Sequence, residues 1–140
     1  MDRQRAVRGA GPLCRRAVEL VLPGRDVVVA LVDDRTIAEL HGRFLDDPTP
    51  TDVLSFPHGE IVVSGDTARR EARARGIEPL HEVCLYVVHG ALHLRGHRDK
   101  GAKDRARMRA AERRALSALG VGDVFQAEPR RKRRGRGPIS

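Results

Sequence analysis

The chain reads as an α+β domain: a small mixed sheet of about three to four strands packed with about five helices, one of them buried and central. Three features point that way. Val27 to Val32 is a continuous, valine-rich apolar run with the look of a buried strand. Two further short runs, Val53–Phe56 and Glu60–Ser64, are joined by Pro57-His58-Gly59 and read as a hairpin. The stretch from Glu78 to Leu94 is apolar almost throughout and carries two histidines four residues apart.

The remaining elements follow in order. Pro12 to Leu22 reads as the first helix, with Leu13, Ala17, Leu20 and Val21 on one face and Pro23-Gly24 stopping it. After the Val27–Val32 strand, Asp33 or Asp34 can cap a helix reaching Phe44, with Ile37, Leu40, His41 and Phe44 at helical spacing. Asp46 to Thr51 is a loop, rich in Asp, Pro and Thr. Beyond the hairpin, Asp66 to Arg75 reads as a polar, exposed helix ending at Gly76. The last helix runs from Asp104 to Leu119, with Met108, Ala111, Ala115 and Leu119 facing inward and Gly120 behind it. No internal repeat is present. Residues 1–126 form a single domain on this reading, and 127–140 a basic, disordered tail.

At 140 residues the chain can bury a core of its own. With no Trp, one Tyr and three Phe, that core must be mostly Val, Leu, Ile and Ala. The net charge of +8 is unevenly placed. Six of the 27 Lys and Arg residues are Arg130, Arg131, Lys132, Arg133, Arg134 and Arg136, and setting them aside leaves 21 basic against 19 acidic residues. The basicity is an appended arm, suited to phosphates rather than to one shaped ligand. Cys14 and Cys84 are too few and too far apart in sequence for a disulfide framework or a CxxC zinc site, and read as buried thiols. No run is long and apolar enough for a membrane span, and Arg15, Arg16 and Glu19 interrupt any signal-peptide core. A reducing cytoplasm fits these features.

The chemistry lies in His89-Gly90-Ala91-Leu92-His93-Leu94-Arg95-Gly96-His97-Arg98-Asp99. Residues four apart share a helix face, so one ion can bridge His89 and His93. Gly96 can end the helix with a positive φ and turn the chain back. Asp99 is then the third ligand, and His97 the alternative. Two His and one carboxylate form a catalytic zinc ligand set that leaves room for water. Gly90 stands where an HExxH protease carries its general base, which disfavours that class.

His89-Gly90-x-Leu92-His93-Leu94-x-Gly96 resembles the signature of the YbeY family, metal-dependent endoribonucleases of ribosomal RNA maturation. Leu31-Val32-Asp33-Asp34, Pro50-Thr51-Asp52-Val53-Leu54-Ser55-Phe56-Pro57 and Gly59-Glu60-Ile61-Val62-Val63-Ser64 resemble its other blocks, in order, so the likeness covers Val27 to Gly120. The resemblance implies a single-strand-selective endoribonuclease acting in ribosomal RNA maturation and ribosome quality control. It would hydrolyse phosphodiesters with water activated by one divalent ion, Zn2+ first. The implied partners are ribosomal RNA and the small ribosomal subunit, with no organic cofactor and no membrane.

Two departures stand out. The commonest family pattern has a third histidine where this chain has Asp99. The family's arginine after the aromatic of the preceding helix is replaced by Leu45, leaving Arg43 and Arg95 as substitutes for its phosphate contact. The family also begins with a strand ahead of its first helix, so a smaller sheet is expected here. With no in-motif glutamate, Asp52, Ser55 and His97 are the candidates for the catalytic base. The scarcity of aromatics predicts RNA contact dominated by backbone electrostatics. Two other readings compete: a noncatalytic RNA- or ribosome-binding protein with a structural metal site, and a small-substrate metal hydrolase or Fe(II) oxygenase.

Overall fold

A computed structural model describes residues 9–45, 51–98, 100–122 and 124–125. The Asp46–Pro50 part of the expected loop, Asp99 and the basic tail from 126 onward lie outside the described residues. Among those described, the element order is α1 (Ala10–Val21), β1 (Val28–Val32), α2 (Asp34–Leu45), β2 (Val53–Phe56), β3 (Glu60–Ser64), α3 (Gly65–Arg75), α4 (Pro79–Arg95) and α5 (Gly101–Ala118). The sheet is mixed, with order β1-β3-β2. β1 pairs parallel with β3, Val29 opposite Ile61 and Leu31 opposite Val63. β2 pairs antiparallel with β3, Leu54 opposite Val62 and Phe56 opposite Glu60.

Strand alternation divides the core into two layers. Ile61 and Val63, with Val29, Leu31 and Val53, face the main core built on α4. Leu54 and Val62, with Ala30, Val32 and Phe56, face Ile37 and Leu40 of α2. α4 is buried on nearly every side and packs against α1, α3, α5, β2 and β3. A helix that is apolar all round is stable only when so surrounded.

The ends of the elements have local causes. Asp33 caps α2, its carboxylate accepting from the Thr36 amide at 2.9 Å. That leaves Asp34 to accept from Ser64 Oγ at 2.8 Å, Thr67 Oγ1 at 3.0 Å and Arg70 at 2.7 Å. Ser64 also accepts from the Thr67 amide at 3.0 Å and so starts α3 directly from β3, one residue before Asp66. Pro79 opens α4, and Gly96 closes it at φ 116°, its amide donating to the His93 carbonyl while that of His97 donates to Leu92.

Three expectations need correction. β1 is an edge strand, not a fully buried one, and Val28 is 63% exposed because nothing pairs beyond it among the described residues. α3 is polar, but Ala68 and Ala72 are fully buried, which lets it lie close on α4. Phe44 follows the inner face of α2 in spacing yet is 56% exposed, its ring meeting Phe56 of β2 edge-on.

Candidate metal centre

His89 and His93 stand one turn apart on α4 with their Nε2 atoms 3.1 Å from each other and their rings at 78°. The other nitrogen of each ring is engaged. Nδ1 of His93 donates to the carbonyl of His97 at 3.1 Å. A carbonyl can only accept, so the proton of this imidazole sits on Nδ1. Nδ1 of His89 lies 2.5 Å from Oε2 of Glu112 on α5, an acceptor when ionised. Both Nε2 lone pairs therefore point into the same small space. Two imidazole ligands at zinc distances stand about 3.3 Å apart in a tetrahedral arrangement. A cation between the two nitrogens meets that requirement, and ring N–H groups held by a carboxylate and a carbonyl are the usual support of metal-bound histidines. The donor set fits a divalent ion.

Asp99 lies outside the described residues. Among the described residues, no group of three or more His, Cys, Asp or Glu side chains is arranged to hold an ion, so the ring of His97 does not join the pair here. His97 instead contributes its carbonyl, brought back to His93 by the turn at Gly96.

Asp52 sits just ahead of β2, its carbonyl accepting from the Ser64 amide at 3.0 Å. Burial raises its carboxyl pKa above the ordinary value, and the opposing pull that a protonated His89 exerts on it puts Asp52 within electrostatic range of the pair. Ser55 is engaged elsewhere: its hydroxyl donates to the carbonyl of Gly90 at 3.0 Å. Of the two substitute arginines, Arg43 is exposed beside Phe44. Arg95 reaches back to the carbonyl of Val21 at 3.5 Å. The tail cations 130–134 and 136 lie outside the described residues.

Glu112 escapes sequence reasoning, as does Glu82. Glu112 is only 4% exposed and lies on the inner face of α5 between Met108 and Ala115. Its second oxygen is 3.4 Å from Arg109 Nε. The signal was present as an acid on an apolar stripe. Glu82, in the first turn of α4, is buried, ion-paired with Arg75 and hydrogen-bonded to Tyr86. Burial raises its pKa against the pull of Arg75, and the pair joins α3 to α4 away from the histidines. The thiols of Cys14 and Cys84 are buried as expected, their pKa values pushed by burial up to about 11 and about 12.

The family model described as Endoribonuclease YbeY matches residues 13–120, which extends the likeness into α1. A curated Endoribonuclease YbeY of Rhodopirellula baltica is 41% identical over 105 residues, 68% of this chain and 54% of that one. One of Myxococcus xanthus is 36% identical over 130 residues, 83% of this chain and 44% of that one, so the chain spans about half the length of these two relatives. One of Thermus thermophilus is 36% identical over 131 residues, 81% of this chain and 94% of that one. A Thermotoga maritima protein solved in solution shares the fold, with a TM-score of 0.57 at 24% identity over 94% of this chain and 95% of that one. The α+β architecture, the histidine motif on its buried helix and a family match across most of the sequence converge: the chain belongs to the YbeY endoribonuclease family.

Proposed function

We propose that the protein is a metal-dependent endoribonuclease that hydrolyses single-stranded RNA during ribosomal RNA maturation and ribosome quality control. The observation that carries this reading is the His89–His93 pair, with facing Nε2 atoms and both Nδ1 atoms engaged, in a chain of this family. His89 and His93 hold the ion, Zn2+ first by the chemistry of imidazole and carboxylate donors, and Asp99 or His97 completes the set. A bound divalent ion supplies polarisation of a phosphoryl oxygen and a lowered pKa for water.

The chain's own groups do the rest. Glu112 fixes the His89 ring and its tautomer. Asp52, buried just ahead of β2 and within electrostatic range of His89, takes the proton of the attacking water. Ser55 is spent on the helix–sheet joint, and His97 is the other candidate base. Arg43, Arg95 and the cations of the tail neutralise phosphates along the strand, giving weak sequence preference and strong salt dependence. The substrate is the RNA of the small ribosomal subunit, and the setting is the cytoplasm. No helix among the described residues is long and apolar enough to cross a membrane.

The test is cleavage of ribosomal RNA by the full chain, with and without a chelator, beside His93→Ala. Loss of cleavage under both treatments is expected. Cleavage that survives both overturns the proposal, and RNA binding without any cleavage favours a noncatalytic RNA-binding protein.

A further inference from the structure

The structure gathers two of the three phenylalanines of this aromatic-poor chain at one exposed place. Phe44, near the end of α2, is 56% exposed, yet it is braced edge-on by Phe56 of β2, with centroids 5.4 Å apart at 72°. Phe56 stacks in turn on His58 of the hairpin turn, at 5.7 Å and 22°. The guanidinium of Arg43 lies 6.0 Å from the Phe44 ring. At the far end His58 is paired with Glu60 at 3.0 Å.

We infer that Phe44, Phe56 and His58 form a stacking platform for an unpaired nucleobase of the RNA strand, with Arg43 taking the adjoining phosphate. The inference rests on the RNA reading above and specifies how the strand is held. A large ring left in water on a helix forfeits the gain of burial. Here the ring is also held in fixed orientation by its neighbours, so a planar ligand loses little entropy in stacking on it. Three rings make too small a surface for a stable protein interface. A flat π-face beside a cation matches the two chemistries of a nucleotide, base and phosphate. Glu60 repels phosphate from the His58 end, so the backbone passes on the Arg43 side.

Phe56 lies four residues along the chain from Asp52, about 13 Å in extended backbone. The stacked base is therefore not the one at the scissile bond but a neighbour further along the strand.

The experiment mixes the full chain with a short single-stranded RNA carrying one 2-aminopurine, whose fluorescence falls when it stacks. Quenching is read in the first seconds and cleavage later in the same sample. The wild-type protein is expected to quench. Phe44→Leu, which keeps apolar bulk but no π-face, is expected to bind about ten-fold more weakly and to lose the quench, and Phe44→Trp to restore both. Equal affinity and quench in Phe44→Leu overturn the platform while leaving the nuclease reading intact. Absence of both quench and cleavage in the wild type overturns the two together. If Phe44→Leu alters only sedimentation of the protein, the surface joins copies of the chain, and the platform is again overturned.

Discussion

Ser55 donates its hydroxyl to the carbonyl of Gly90 at 3.0 Å, and this bond joins the histidine helix directly to the sheet. A Cβ built on Gly90 would lie 2.8 Å from Ser55 Oγ, 3.0 Å from Ile61 Cγ2 and 3.2 Å from Val53 Cγ2. The glycine beside the first histidine is thus required by packing, and it ties the His-Gly motif to the Thr-Asp-Val-Leu-Ser block. Gly90→Ala is expected to destabilise the protein by about 1–3 kcal/mol, the usual range for overpacking. Adding Ser55→Ala removes the nearest clash, so the double variant should recover part of the loss in urea denaturation. An unchanged midpoint in Gly90→Ala would refute this account.

Glu112 reaches the proposed metal site through His89. Glu112→Gln is expected to weaken zinc binding by about 10- to 100-fold with the fold retained. Chelator competition monitored alongside circular dichroism tests this. Wild-type affinity in a folded variant would show that the carboxylate does not support the ligand.

The third ligand is decided by metal stoichiometry. Asp99→Ala should lose bound metal on purification, while His97→Ala should keep it, since only the carbonyl of His97 is used by His93. Full occupancy in Asp99→Ala moves the assignment to His97.

Asp34 sets an acid limit on stability. Burial raises its pKa, but hydrogen bonds from Arg70, Ser64 and Thr67 outweigh this and hold it below the usual carboxylate value. A group with a depressed folded pKa stabilises above its unfolded value, near 3.9, and loses that contribution as pH falls through the folded one. The difference in urea midpoint between wild type and Asp34→Asn should be largest at pH 7 and shrink below about pH 4. A gap that is constant with pH would contradict the depressed pKa.

Removing residues 130–140 deletes six cations. If all six meet phosphates, the slope of log affinity for single-stranded RNA against log salt should flatten by up to about 4. An unchanged slope would show that the tail makes no phosphate contacts.

What was legible in the sequence was local. Gly96 closes α4, the turn Pro57-His58-Gly59 joins β2 to β3, and the spacing of His89 and His93 set their shared face. What escaped depended on partners distant in sequence. An apolar run such as Val27–Val32 does not say whether both of its edges are paired, and β1 lies at an edge. Periodicity gave Phe44 a face but not a depth. Glu112 was an exception on an apolar stripe until its partner on another helix was known.

The arrangement around α4 also fixes an order of events in time. α4 is flanked by α1 from the start of the chain and by α5 from beyond it, and the carboxylate that orients His89 comes 23 residues after it. A growing polypeptide presents both histidines before Glu112 has been made. Their ring geometry is completed only when α5 closes over α4, so the centre is among the last parts of the molecule to mature, and a nascent chain carries the histidines without the constraint that aims them.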